Sequence, residues 1–186
     1  MKLYKKLIHR LTANRYRGFG VHSPFVFDFI TNVMNETNPY YAYDYIDNLI
    51  SNKKENAYLK LIYRIINYYK IKNVIAIGYN TKIDKIATLC HNTKITKVDD
   101  TKNIQNLGKF DLVYFAKDTF NNSIHTFNNE QIVIIENLFE NYQNFEIVKK
   151  REISKIFIDF FDFGIIFAKN NFPKQYYKFY FKNLYK

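Results

Sequence analysis

The residues that could do chemistry in this chain stand mostly just after apolar runs. VIAIGYNTKID, residues 74–84, leads four apolar residues into a single glycine, Gly78, ahead of a helical pattern. A strand enters a nucleotide-binding turn in this way, because backbone must come close to a ligand there and glycine leaves the room. Such turns usually carry two or three glycines and an acid, so one glycine is a weak signal by itself. ITKVDD closes on Asp99 and Asp100, and FDLVYFAKD runs into Ala116, Lys117 and Asp118. His22 stands beside a helix start at Ser23-Pro24, where an orienting hydrogen bond fits it better than catalysis. His9, His91 and His125 have no partner ligands at metal spacing, and Cys90 is the only cysteine. An intrachain disulfide or a thiolate zinc site is therefore excluded, and a metal-independent protein is expected. Asp159 and Asp162 fall in an aromatic hairpin, where one of them should bond backbone or a terminal basic group.

Charge is distributed unevenly. The 186 residues carry a net charge of +11, yet residues 28–162 are neutral. The excess comes from Lys2, Lys5, Lys6, Arg10, Arg15 and Arg17 at one end and five lysines, Lys178 and Lys182 among them, at the other. Should both ends share a face, they would form a basic surface for an anionic substrate or for nucleic acid. YYKFYFKNLYK interleaves aromatics with lysines, which suits stacking on single strands. It reads more simply as an edge strand with lysine outward.

These residues need elements to position them. Residues 2–12 alternate as an amphipathic helix, with Leu3, Leu7 and Leu11 on one stripe beside Tyr4 and Ile8. Such a stripe either docks on its own domain, the commoner outcome, or lies on a membrane surface. Ser23 as cap and Pro24 at the first helical position start a second helix. Residues 54–69 predict a long helix with Tyr58, Leu61, Ile62, Ile65 and Ile66 inward. From residue 73 short apolar runs follow at 74–78, 95–98, 110–116, 131–137, 155–161, 163–169 and 177–181. Apolar strands separated by helices predict a parallel sheet covered on both faces. The near-contiguous pair 155–161 and 163–169 predicts an antiparallel hairpin. The expected organisation is a helical extension over 1–70 on a Rossmann-like core over 71–186. No 18-residue apolar run exists, and the charged N-terminus lacks a signal-peptide core, so a cytoplasmic location is expected.

Two stretches, RGFGVHSPFVFDFITNVM (17–34) and FIDFFDFGIIFAKNNFPKQYYKFYF (157–181), resemble segments of a bacterial family of small class I S-adenosylmethionine-dependent methyltransferases related to O-methyltransferases. Weaker likeness covers 70–137. The resemblance implies a Rossmann-like sheet, mostly parallel, with an antiparallel C-terminal strand; the short spacing between the runs at 95–98 and 110–116 predicts that the third sheet strand is reduced or missing. It also implies S-adenosylmethionine as cofactor, held by Gly78, Tyr79, Asn80, Asp99, Ala116 and Lys117. Asp99 would bind the two ribose hydroxyls, since a carboxylate accepts two hydrogen bonds at once.

Three positions depart from the family pattern. Ala76 stands where an acid reaches the methionine end of the cofactor, Lys82 where a second glycine is usual, and Ala116 where an aspartate touches substrate or cofactor. Lys82 could instead neutralise an anionic group of another ligand. Two functions follow. The chain is a methyltransferase acting on an unidentified acceptor, with His22 or Lys117 as an acid–base or orienting group, since methyl transfer needs mainly positioning. Alternatively it is an inactive methyltransferase fold serving as a binding module, in contact with RNA or another anionic partner through Lys2, Lys5, Lys6, Arg10, Lys178 and Lys182.

Overall fold

A computed structural model describes residues 2–13, 20–78, 82–100, 106–121, 128, 130–150, 156–168 and 171–180. Apolar strands that are buried on both faces cannot stop at a hairpin, and here they assemble into one seven-stranded sheet. Its strands are β1 (Asn73–Ile77), β2 (Lys94–Val98), β3 (Leu112–Phe115), β4 (Gln131–Glu136), β5 (Ile156–Asp159), β6 (Phe163–Ala168) and β7 (Gln175–Lys178). They lie in the order β2-β1-β3-β4-β6-β5-β7. β2, β1, β3 and β4 pair in parallel. β6 runs against both β4 and β5, while β7 pairs parallel to β5. The reversed strand is thus β6, and the expected antiparallel C-terminal strand is corrected. β5 must turn straight back into β6, whereas β7 returns over a longer connection and regains the common direction.

Side-chain alternation divides the core into two layers. Val74, Ala76, Leu112, Tyr114, Ile132 and Ile134 join one hydrophobic cluster with the N-terminal helices; Ile75, Ile77, Val113, Phe115, Val133 and Ile135 join another with Phe145 and Val148. Phe145 and Val148 belong to α6 (Tyr142–Lys150). β2 departs from the expected continuous burial: Lys94, Thr96 and Lys97 are exposed on this edge strand. Between β2 and β3 the described residues form only a 3-10 turn at Leu107–Lys109.

The helices before the sheet are α1 (Lys2–Thr12), α2 (Pro24–Asp28), α3 (Ala42–Leu49) and α4 (Lys53–Tyr68); α5 (Ile83–Thr88) follows β1. Ser23 caps α2 by accepting from the Val26 N–H, with Pro24 at the start as expected. α2 continues as a π-helical stretch, Phe29–Met34. Its last carbonyls would be left bare in the core. The buried Arg64 of α4 answers them, donating to Val33 O (2.6 Å), Met34 O (3.4 Å) and the Tyr43 hydroxyl (2.8 Å). α4 buries Tyr58, Leu61, Ile62, Ile65 and Ile66 as its spacing predicts, and Asn52 caps it. α3 was not legible in the sequence, because only Ala42 and Ile46 are buried on it.

Candidate functional site

A parallel sheet offers its chemistry at the carboxyl ends of its strands, where loops can diverge and leave a crevice. Here that rim is set by Ile77, Val98, Phe115, Glu136 and Asp159. Chain leaving it turns sharply. Gly78 (φ +111°), Asp118 (+66°), Asn137 (+53°) and Phe161 (+69°) all take left-handed backbone just past β1, β3, β4 and β5.

Over β1 and β3 the described part of the rim is occupied by a tight turn, 116–119. The Ala116 N–H bonds Ile77 O at 2.9 Å, and the Thr119 hydroxyl donates to Ile77 O (3.2 Å) and Ala116 O (2.8 Å). This turn is pressed onto Gly78. A Cβ added there would lie 2.7 Å from Thr119 Cγ2 and 2.8 Å from Ala116 Cβ. The glycine is therefore required by a contact within the protein itself. Ala76, in place of an acid, is fully buried among apolar neighbours. Lys82 does not stand ready for a ligand anion as envisaged above. Its Nζ lies 2.5 Å from Glu55 Oε1, linking the start of α5 to α4.

The other predicted cofactor residues are dispersed. Asp99 is exposed just past β2, in the expected place at the rim. Lys117 is exposed, and it is its backbone N–H that bonds Glu136 Oε2 at 3.2 Å. Tyr79 and Asn80 lie outside the described residues. His22 is exposed and belongs to the wrong end of the sheet. Phe25, three residues on, packs edge-to-face on Phe167, which pairs with Ile132 near the start of β4. Sequence could not reveal the end of the sheet at which α2 sits. Among the described residues no group of three His, Cys, Asp or Glu side chains is placed to hold a metal ion.

Beside the 116–119 turn a cleft of about 160 Å³ opens, lined by Asn52, Lys54, Glu55, Tyr58, Glu136, Asp162 and Phe163. The Tyr58 hydroxyl is buried there without a hydrogen-bond partner of ordinary geometry. Burial raises its pKa well above the usual phenol value, and Tyr114 and Glu136 add to the shift. Burial likewise lowers the pKa of Lys54, against the pull of Asp162. Asp162 Oδ2 accepts from both Lys6 (2.8 Å) and Lys54 (2.6 Å), tying α1 and α4 to the β5–β6 turn. Of these residues, sequence reasoning named Tyr58, on the inward face of the long helix, and Asp162, in the aromatic hairpin. It missed Glu55 and Lys54, whose roles arise only from the packing of α4.

Further along the rim a pocket of about 290 Å³ lies among Lys5, Ile8, His9, Phe139, Tyr142, Asp159, Phe161 and Lys178. Its floor is a buried polar network. Asp159, only 1% exposed, accepts from His9 Nε2 (2.9 Å), the Phe161 N–H (2.7 Å) and the Tyr176 hydroxyl (2.8 Å). Burial pushes the Asp159 carboxyl up, but the hydrogen bonds and charge supplied by His9 and these donors outweigh it, so its pKa lies below the ordinary value. Asp162 behaves alike: Lys54 and Lys6 overcome its burial. Both hairpin acids thus bond as the sequence implies, Asp159 to backbone and Asp162 to a terminal lysine. The two basic ends share one face: Lys5 and Lys178 line the pocket, and the Arg10 guanidinium sits 4.8 Å from the centre of the Tyr180 ring. Several of these cations are engaged, Lys2 near Glu140 (3.7 Å) and Lys6 on Asp162. Lys182 lies outside the described residues. No protein-family model matches the chain, and no curated protein matches it.

Proposed function

We propose that this chain keeps the layout of a class I methyltransferase as a binding module and does not transfer methyl groups. The observation that carries the reading is the seating of Gly78. A Cβ there would meet Thr119 Cγ2 at 2.7 Å and Ala116 Cβ at 2.8 Å, so the glycine answers a contact inside the protein and by itself gives no sign of a cofactor turn. Ala76 supplies no carboxylate for the amino end of the cofactor, and Lys82 is held by Glu55. Asp99 alone retains the type and place of a ribose ligand. Supporting the family reading itself are the parallel strands β1–β4 followed by the reversed β6, a class I plan short of one strand. In this reading the binding surface lies farther along the rim, over β4, β5 and β7, where clefts stay open and charges converge.

Thermal unfolding with S-adenosylmethionine and S-adenosylhomocysteine tests the proposal. A bound ligand at 100 times its dissociation constant would add about 2.7 kcal/mol, or roughly 5–10 °C for a domain of this size. The expected result is no shift at millimolar ligand in a protein that melts cooperatively. A shift of that order, lost in Asp99→Ala, overturns the proposal and restores the active methyltransferase, with Gly78, Tyr79, Asn80, Asp99, Ala116 and Lys117 at the cofactor.

A further inference from the structure

α1 is mounted with its polar face inward. The apolar stripe that was expected to dock is open to solvent: Leu3 is 85% exposed, Leu11 76%, Tyr4 68%, Leu7 54% and Ile8 41%. His9 is the one buried residue of the helix. At 3.6 residues per turn the five apolar side chains cover an arc of about 140°, with His9 on the opposite side. Specific bonds fix this orientation, His9 to Asp159 and Lys6 to Asp162. A helix merely resting on the domain would have buried its leucines, so their exposure is a feature of the seat.

Helical geometry sets Arg10 along one border of the stripe and Lys5 beyond Ile8 on the other. No acid occurs in residues 1–27. Among the described residues, the acids paired with α1, Asp159, Asp162 and Glu140, meet His9, Lys6 and Lys2. We infer that α1 lies flat on an anionic lipid surface, its leucines in the boundary between headgroups and acyl chains. Lys5 and Arg10 would reach the lipid phosphates, their stems alongside the apolar face. The helix cannot cross a membrane: eleven residues span about 16 Å against a hydrocarbon core of roughly 30 Å. A second copy of the chain fits the stripe poorly, since two α1 faces would bring Lys5 and Arg10 toward their own kind with no acid on the helix to answer them. The inference stands whether or not the rim over β1 binds S-adenosylmethionine.

Co-sedimentation of the full chain with phosphatidylcholine vesicles, with and without phosphatidylserine, tests it. Expected are pelleting with the serine-containing vesicles, a marked loss on raising salt, and affinity at least about tenfold lower for the double variant Leu7→Gln/Leu11→Gln. Both leucines are exposed, so this variant should melt with the parent. Lys97→Gln, on the far edge of the sheet, removes a charge without touching α1 and should bind like the parent. No pelleting in either lipid overturns the inference. So does equal binding by the leucine variant, which marks charge adsorption alone. A concentration-dependent dimer broken by the same variant also overturns it, because a second copy then covers the stripe. Thermal shifts with S-adenosylmethionine are unaffected by any of these outcomes.

Discussion

Two stretches of one sheet edge have been put to opposite uses. Over β1 and β3 the contacts are short-range and small: Thr119 and Ala116 close on Gly78, and the Thr119 hydroxyl bonds Ile77 O. Over β4, β5 and β7 the contacts are charged and join distant parts of the chain. Lys6 and Asp162 are 156 positions apart, His9 and Asp159 150, and Lys54 and Asp162 108. Packing that turn on the strand ends therefore took only small residues against backbone already present. Keeping the other half polar required partners far apart in the chain, and at Asp159, only 1% exposed, removing His9 would take one donor from a buried charge.

This contrast can be broken most forcefully at Gly78. Gly78→Ala should cost about 4 kcal/mol, combining overpacking against two unyielding groups with left-handed backbone, and lower the melting point by roughly 8–16 °C. Gly20→Ala is the comparison: its φ is also positive (+81°), but no atom lies within 4 Å of the added carbon, so about 1 kcal/mol is expected. Equal costs at the two sites would mean that the rim over β1 is not packed as described. Differential scanning calorimetry separates these outcomes.

The polar stretch should yield less, and in a pH-dependent way. Asp159→Asn keeps the shape but weakens three hydrogen bonds to a charged acceptor, for about 2 kcal/mol at neutral pH. Because the folded pKa lies below the ordinary value of about 3.9, the carboxylate stabilises fully above that value and ceases to as pH falls through the folded one. The gap between parent and variant should thus be widest near neutrality and close in acid. Denaturant titrations from pH 7 to 2 show it, and a gap independent of pH would remove the ionised carboxylate from the account. Amide exchange in α1 should quicken in the same variant. The smallest effect belongs to Lys82→Ala. Its pair with Glu55 is well exposed on both sides, so no more than about 0.5 kcal/mol is expected. A larger loss would make that pair part of the closure over β1.

Much of the frame was legible in the sequence. Six of the seven apolar runs coincide with strands, and the seventh, 177–181, overlaps β7 only at residues 177 and 178; the central strands were plainest, because burial on both faces demands continuous Val, Ile and Phe. Ser23-Pro24 and the α4 stripe were equally direct. What escaped depends on distance along the chain. Nothing local to α1 reveals that a carboxylate 150 positions later prefers His9 to leucine, so the helix was read correctly and its orientation inverted. The direction of β7 escaped for a similar reason, since parallel pairing with β5 is decided by the path between them. At the candidate site Gly78 was visible as a residue, but only packing shows that its missing side chain makes room for Thr119.

The 150 residues between His9 and Asp159 also have a meaning in time. On a ribosome adding about 5–20 residues each second, α1 is made roughly 8–30 seconds before its anchor. An isolated helix of eleven residues is marginal in water, so during that interval the segment has neither its seat nor a stable fold of its own. The last sixth of the chain then acts as a latch: a nascent chain cut short before β5 has every element up to α6 and leaves its own beginning undocked.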